Sequence, residues 1–359
     1  MADSNFLGRD GFTWFVGVVE DRADPQYLGR IRVRCLGYHT DDKTVLPTSD
    51  LPWAHPLQPI TSSGISGIGQ TPLGLLEGSW VIGFFRDGHY AQEPVILGAL
   101  PGRPSSIADT KKGFNDPNGV YPRYINEPDT NRLAVNNEEN PHLGLELRKA
   151  TRSTGFATAD FDATTAADGS IIAASDTDTW DQPEIAYAAV YPSNHVYESE
   201  SGHIREFDDT LGAERIYESH KTGTSYEINP NGDRIDIIKG KHYTIQSNDN
   251  KVDIDGNSDV TISGRHKVYI NKDGLTNNHY DIQVGPNANI NIQVDTGSIN
   301  LITKSGPINV NAGGDYNLKV AGNSTVSVLG NTLETIEGSK TSNTTGAVIH
   351  RGSTIDLNP

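Results

Sequence analysis

The chain has 359 residues, of which 35% are hydrophobic and 37 are glycine, and its formal net charge is −17. A chain of this length usually forms two or three domains. The glycine-rich, thinly apolar composition favours short strands and tight turns over helical packing. The acidic excess argues against binding to nucleic acid or to an anionic membrane surface, because both need clustered Lys and Arg.

Cys35 is the single cysteine, which excludes a disulfide framework or a thiolate metal site within one chain. The first residues, MADSNFLGRDGF, lack a basic region followed by an apolar run. No stretch reaches the ~18 apolar residues that a spanning helix needs. These features predict synthesis in a cytoplasm, without an N-terminal signal and without a membrane-spanning helix.

Residues 13–103, after a short N-terminal tail at 1–12, alternate short apolar runs with turn residues. In IRVRC, the residues Ile31, Val33 and Cys35 share one face and Arg32 and Arg34 the other, as in a half-buried strand. About five such strands within one small domain predict a closed barrel of the OB type.

Residues 104–189 are rich in turn formers and show no sustained period. This composition, without a sustained period, predicts an extended linker that wraps on other surfaces and does not build a core of its own. One short helix is expected near residues 143–148.

Residues 190–231 contain the densest group of charged and histidine side chains, in HVYESESGHIREFDDTLGAERIYESHKTGTSYEI. A glycosidase needs two carboxylates about 5–9.5 Å apart in a cleft, and a zinc hydrolase needs paired His residues plus a third ligand. Here the residues alternate as in strands with one polar face, so Arg205 would pair across strands with Glu206 or Asp208. We therefore expect strand contacts rather than catalysis. The candidate residues are Glu198, Glu200, His203, Arg205, Glu206, Asp208, Asp209, Glu214, Arg215, Glu218 and His220.

Other motifs that suggest ligand binding are incomplete. The glycine-rich loop 61–74 lacks the Lys-Ser/Thr ending of a phosphate loop, and an interface loop is the expected reading. Segments 249–259 and 271–274 lack the closing Glu of a calcium loop, and the GGD at 313–315 does not repeat. His350 could hold an ion on a three-fold axis, but a solvent-facing His is favoured. We predict no catalytic, cofactor or metal site.

Residues 232–359 carry a period of eight. One ladder of rungs runs through Gly232, Gly240, Asn248, Gly256, Gly264 and Lys272, and a second through Gly306, Gly314, Gly322, Gly330, Gly338 and Gly346. Apolar-x-apolar segments such as VDI, VTI and VSV lie between these rungs. The period of eight loses its register between the two ladders, which predicts longer loops around 275–278 and 285–289. A short fixed period with glycine corners predicts a β-helix. Corner glycines are expected to need a positive φ or a close backbone approach.

The length of the repeat limits how the needle can be built. Eight residues span about 26 Å at ~3.3 Å per residue, so one octad supplies one face and three faces complete a turn. The three faces can follow one another in one chain, or each can come from a different chain. The period alone leaves both arrangements open.

Four segments in the N-terminal part of the chain carry a resemblance: WFVGVVEDRADPQYLGRIRVRCLG, LPWAHPLQPITSSGISGIG, EPVILGALPG and GFNDPNGVYPR. They resemble the N-terminal OB domain and following segment of the family of central spike proteins of T-even-type contractile phage tails. YESESGHIREFDDTLGAERI and HKTGTSYEINPNGDR resemble the strands that open its C-terminal needle, and the octads and GSTIDL resemble its triple-stranded β-helix. The resemblance covers about residues 1–130 and 190–359. The spike proteins of type VI secretion are more distantly similar.

The resemblance implies an all-β, homotrimeric, non-enzymatic spike of the virion tail baseplate. Its barrel would dock on the hub under the tail tube, and residues 190–231 would form the neck where three chains enter the needle. The needle would puncture the host outer membrane on contraction and carry a separate tip protein. The best-known family member has a lysozyme domain between barrel and needle, and the interval here has no comparable helical domain, so peptidoglycan hydrolysis is not implied.

Two other functions fit parts of the sequence. One is the spike of a type VI-like secretion or contractile injection system. The other is a β-helix protein that degrades or binds polysaccharide, which would need several carboxylates or basic residues along one groove. The octads offer mainly Asn, Thr and Ser.

Overall fold

The computed structural model describes residues 12–123, 125–135, 186–260, 262, 264–271, 274 and 279–355, and the backbone of 171–172 and 179–180. The chain divides into two compact units, residues 1–268 and 269–359. Regular structure in the described residues is almost all β, with one short helix, α1 (Arg132–Val135), and two 3-10 turns, Thr48–Asp50 and Gly88–Tyr90. None of the described helices could cross a membrane. The helix predicted near residues 143–148 lies outside the described residues.

The first five strands close into a barrel. They are β1 (Trp14–Asp21), β2 (Ile31–Cys35), β3 (Trp53–Pro56), β4 (Trp80–Phe85) and β5 (Pro94–Ala99), in the order β1-β2-β3-β5-β4. The β3–β5 pair is parallel and the others are antiparallel. Alternation places one face of each strand inward, and the core contains Phe15, Val19, Ile31, Val33, Cys35, Ala54, Val81, Phe85 and Ile96. The predicted OB-type barrel is confirmed.

The outer face of β2 differs from the prediction. Arg34 was expected on a polar, half-exposed face, yet its side chain is fully buried. Its Nε lies 2.6 Å from Glu20 Oε1, and its terminal nitrogens donate to the carbonyl oxygens of Thr40 and Leu46 at 2.6 and 2.8 Å. The chain that follows β2 folds over this face, so the charge is buried together with its partners.

The described part of the predicted linker lies on the barrel and on the sheet that follows it. A Cβ on Gly113 would lie 2.4 Å from Arg34 Cδ, so the backbone passes directly over the buried guanidinium. The buried carboxylate of Asp116 accepts hydrogen bonds from the backbone N–H groups of Asn118 and Tyr121 at 2.8 and 2.6 Å. Leu133 of α1 is fully buried with Ile204 and Tyr217 of the neck.

The neck is a five-stranded antiparallel sheet in sequence order. It consists of β8 (Asn194–Glu198), β9 (Ile204–Asp208), β10 (Arg215–Ser219), β11 (Ser225–Ile228) and β12 (Arg234–Ile237). Each of its four turns contains a glycine with positive φ, a conformation that glycine adopts without a Cβ penalty: Gly202, Gly212, Gly223 and Gly232. The short strands β6 (Ile171–Ile172) and β7 (Thr179–Trp180) pair separately.

The octad region bends at the predicted rungs. In the first unit the backbone bends at residues 239–240, 247–248 and 255–256. In the second unit it bends at 313–314, 321–322, 329–330, 337–338 and 345–346. A turn at 286–287, with Asn287 at φ 62°, lies in the predicted loop 285–289, whereas residues 275–278 lie outside the described part. The described backbone between these bends forms no strand ladder within one chain, so the β-helix remains a prediction.

The positive φ expected at the corner glycines is wrong for four of them, and a close backbone approach between copies stays a prediction. Gly256, Gly264, Gly322 and Gly330 do not have a positive φ. A Cβ built on any of them would meet no atom of the chain within 4 Å. The bends are made with backbone conformations open to other residues, so a single chain gives no steric reason for glycine there.

Candidate functional site

The two faces of the neck sheet differ in what covers them. Alternate residues of a strand point to opposite faces, and cross-strand partners share a face. The first face, which we call the covered face, carries the side chains of Asn194, Val196, Ile204, Glu206, Asp208, Arg215, Tyr217, Glu227 and Ile235. The second, which we call the open face, carries those of His195, Tyr197, Arg205, Phe207, Ile216, Glu218, Tyr226, Ile228, Arg234 and Asp236.

The covered face holds a buried ion cluster. Arg215 Nη2 lies 2.7 Å from Glu206 Oε2, and Arg215 Nη1 lies 3.3 Å from Glu227 Oε2. Asn194 donates to the same oxygen of Glu206 at 2.9 Å. The side chains of Arg215 and Glu206 are 0% exposed. Two carboxylates around one guanidinium could suggest an acid–base pair, but a substrate cannot reach groups that are wholly buried.

This cluster ties the sheet to the chain that crosses it. The Arg215 guanidinium lies 5.2 Å from the ring centre of Tyr187, and the Tyr187 hydroxyl donates to the carbonyl oxygen of Leu133 at 2.7 Å. The backbone N–H of Ala186 donates to Glu227 at 3.2 Å. The cluster therefore fixes residues 131–135 and 186–190 on the covered face.

The predicted partners of Arg205 were wrong. Arg205, Glu206 and Asp208 all lie on β9, so they cannot pair across strands with one another. The cross-strand partners of Arg205 are Tyr197 and Glu218 on the open face. The predicted alternation along β9 is confirmed, but its buried face is the one that carries Glu206 and Asp208.

The other charged and histidine residues of the neck do not come together in one site. His195 lies 3.4 Å from Asp209 in an exposed pair, and the rings of His203 and His220 lie 4.5 Å apart. Asn131 donates to Glu198 at 2.8 Å. Across the part of the chain that the structure describes, no three His, Cys, Asp or Glu side chains are placed to hold a metal ion together.

Glu200 joins the barrel to the neck, which sequence reasoning missed. Arg22, just after β1, donates to both carboxylate oxygens of Glu200 at 3.0 and 3.1 Å. The Tyr121 hydroxyl bonds to the same carboxylate, and Arg123 donates to the Glu200 carbonyl oxygen at 3.1 Å. The hydrogen bond from Tyr121, followed by that from Arg22, lowers the pKa of Glu200. These partners lie 77 to 178 residues away in the chain, so no local motif reveals them.

The other predicted segments are exposed. Ile65, Ile68 and Leu73 of loop 61–74 are 69%, 68% and 71% exposed. The described residues of 249–259 and 313–315 are exposed, as is His350.

Comparison with known proteins then gives the relationships of the chain. Residues 37–184 match the model of the Gp5 N-terminal OB domain. The chain is 40% identical over 292 residues to Protein Gp5 of Vibrio phage KVP40, covering 74% of this chain and 66% of that protein. Residues 37–184 thus belong to the Gp5 N-terminal OB domain family, and the chain is similar to phage Gp5 proteins. It is also 43% identical over 129 residues to the Pre-baseplate central spike protein Gp5 of Enterobacteria phage T4.

The coverage of the Gp5 relatives is partial. The chain spans 66% of the Vibrio phage protein, and the T4 match covers 34% of this chain and 22% of the T4 protein. The matched residues 37–184 contain β3, β4 and β5 of the barrel, whereas β1 and β2 precede them.

Proposed function

We propose that this chain forms the homotrimeric central spike of a contractile phage tail baseplate. It would be made in the host cytoplasm, assemble into the virion baseplate, and puncture the outer membrane when the tail contracts. The observation that carries the proposal is the octad region, whose apolar side chains are exposed on a single chain. Similarity to phage Gp5 proteins, one of them a pre-baseplate central spike protein, supports it.

The octads need partners that one chain does not supply. Val252 is 73% exposed and Val326 is 84% exposed, although each lies midway between two bends. Backbone N–H and C=O groups of extended segments also need ladder partners. Three chains wound together would bury the apolar side chains and pair the backbone in a closed sheet, which resists bending because many hydrogen bonds must break together.

The barrel carries a surface suited to docking on another protein. Outward residues of β1 and β4 are apolar, with Trp14 57% and Trp80 43% exposed and Phe84 opposite Trp14 across the strands. A contiguous exposed apolar face of this kind is typical of a protein contact. In the proposed spike this face would meet the baseplate hub, and the needle end would seat a separate tip protein.

The proposal includes no enzymatic activity for this chain. Two carboxylates of the neck, Glu206 and Glu227, are buried in ion pairs with Arg215 on the covered face. Purified protein should leave peptidoglycan intact in a zymogram. Clearing that is lost in Glu206→Gln would show that the covered face is a catalytic site instead.

Immunogold electron microscopy tests the place of the protein in the virion. Antibodies against the chain should label the baseplate end of purified phage tails. Labelling of the head, or intact virions that lack the protein, would contradict the proposal.

A further inference from the structure

We propose that the covered face of the neck sheet binds a hard divalent cation at Asn194 and Asp208. The two residues are cross-strand partners on β8 and β9, and they are 3% and 2% exposed. One side-chain oxygen of each, Asn194 Oδ1 and Asp208 Oδ2, is buried and has no hydrogen-bond partner among the described residues. Buried polar atoms are nearly always paired, so two such oxygens on adjacent residues indicate a ligand. The site is independent of the proposed function.

The other oxygen of Asp208 holds the carboxylate in place. Asp208 Oδ1 accepts hydrogen bonds from the backbone N–H and the hydroxyl of Thr210, at 3.0 and 2.6 Å. The Thr210 hydroxyl oxygen accepts a hydrogen bond from the Val190 N–H at 3.0 Å. The carboxylate cannot rotate without breaking these bonds, so Oδ2 stays on the covered face as an acceptor for a ligand.

The orientation of the Asn194 amide is fixed by its own donors. Asn194 Nδ2 donates to the Leu133 carbonyl oxygen at 3.1 Å and to Glu206 Oε2 at 2.9 Å. Both neighbours of this nitrogen are acceptors, so exchanging the oxygen and nitrogen of the amide would set oxygen against oxygen. Oδ1 is therefore an acceptor, on the residue directly opposite Asp208.

The charge of the covered face favours a cation over a water molecule. Its residues include three buried carboxylates, Glu206, Asp208 and Glu227, and one buried guanidinium, Arg215. Three negative charges against one positive charge leave this face with an excess of two negative charges. A water molecule would donate to the two oxygens but would leave that charge buried without compensation. A divalent cation satisfies the oxygens and balances the charge.

The donor atoms determine the class of cation. Carboxylate and amide oxygens suit Ca²⁺ or Mg²⁺, whereas Zn²⁺ prefers nitrogen and sulfur ligands. Because one donor is an amide, the site is not a group of three His, Cys, Asp or Glu side chains, which the described residues do not form. The sequence motifs predicted no metal site, since a calcium loop carries its ligands close together, whereas these two lie on different strands.

The metal content of the full-length protein tests the proposal. Wild type that is dialysed against metal-free buffer and then unfolded should release about one Ca²⁺ or Mg²⁺ per chain, and mass spectrometry of the released ions distinguishes the two. Asp208→Asn keeps the side-chain shape and an acceptor for Thr210 but should release at least ~10-fold less. Asp209→Asn is the matched control, because it removes the same charge from a side chain that is 75% exposed.

Thermal unfolding after chelation completes the test. Added Ca²⁺ or Mg²⁺ should raise the Tm of wild type and of Asp209→Asn, because an ion held only by the folded chain stabilises it. The Tm of Asp208→Asn should not respond. If Asp208→Asn does not fold, Asn194→Ser, which removes the amide oxygen, should show the same loss. Wild type that releases no ion and does not respond to either cation would overturn the site, as would equal ion content in all variants.

Discussion

At the residue scale, the barrel depends on a charge that has no contact with water. Arg34 and Glu20 form a fully buried pair, and Gly113 lies against the Arg34 side chain. Removing one member of such a pair is costly because the other charge stays buried without its partner. The Gly113 backbone packs closely over this pair and keeps water away from it.

Gly113→Ala should destabilise the barrel. Its Cβ would lie 2.4 Å from Arg34 Cδ and 2.9 Å from the Asp41 carbonyl oxygen, so the segment must move. Overpacking of this kind costs roughly 1–3 kcal/mol, and thermal unfolding should show a lower Tm. Gly98→Ala on β5, where a Cβ meets no atom within 4 Å, is the control. Equal melting of the two variants would contradict the tight contact.

His39 should make the barrel sensitive to mild acid. Its Nδ1 accepts a hydrogen bond from the Cys35 N–H at 2.9 Å, which requires the neutral ring. Burial, followed by the nearby charge of Arg34, lowers the pKa of His39 below the ordinary 6.5. A lowered folded-state pKa gives stability that is complete above pH 6.5 and lost as the pH falls through the folded-state value.

Unfolding measured between pH 7.5 and 5 checks this effect. The loss of stability on acidification should be smaller in His39→Gln than in wild type. His55→Gln, on the exposed side of β3, should keep the wild-type dependence. An unchanged pH profile in His39→Gln would contradict the role of the neutral ring.

The sequence predicted the barrel core but not its outer face. Alternation in β2 correctly grouped Ile31, Val33 and Cys35 on the inner face. It also grouped Arg32 with Arg34, yet only the second is fully buried, because the covering comes from the chain after β2 and from Gly113 far along the sequence. Periodicity reports which residues share a face. It does not report what later segment packs on that face.

At the element scale, the neck sheet is held by its buried ion cluster. Arg215→Ala would leave Glu206 and Glu227 without their cation on the covered face. Breaking a buried pair in this way costs about 3–5 kcal/mol. Arg234→Ala removes an exposed pair with Asp236 and should cost about 0–1 kcal/mol. Similar unfolding free energies in a denaturant titration would contradict the central place of Arg215.

The same limit of sequence reasoning applies to the neck. Alternation in HIREF predicted a strand with one polar face, and β9 has that pattern. Which face becomes buried depends on Leu133 and Tyr187, which come from outside the sheet. The pattern therefore predicted strand contacts for the neck carboxylates, but it did not distinguish their buried partner Arg215 from the exposed Arg205.

The proposed trimer predicts which substitutions the octads tolerate, because their effect depends on what neighbouring copies would contact. Val328→Asp would place three like charges at one level of the proposed trimer, and it should lower the temperature at which the needle resists detergent. Asn323→Ser, directly after the bend at 321–322, should not. Gly322→Val meets no atom in one chain, so any loss that it causes must come from contact between copies. If Val328→Asp and Asn323→Ser melt alike, Val328 does not face the axis of the proposed trimer.

At the scale of the whole molecule, polar contacts around Glu200 join the barrel to the neck. Arg22 brings the end of β1 to this carboxylate, and Tyr121 and Arg123 bring the chain that follows the barrel. The apolar cores of barrel and neck contain separate sets of residues. The octads could be recognised from their period alone, but how many chains build a turn depends on contacts between copies and is not encoded in the spacing.

The molar mass of the purified chain tests the central claim of a three-chain spike most directly. Light scattering coupled to gel filtration should give three times the chain mass of 38.9 kDa. This result is expected because octad side chains such as Val252 and Val326 are 73% and 84% exposed on one chain, and the described octad backbone after Ile237 forms no strand. A folded monomer of 38.9 kDa with a stable C-terminal region would contradict the account and favour a β-helix built from successive faces of a single chain.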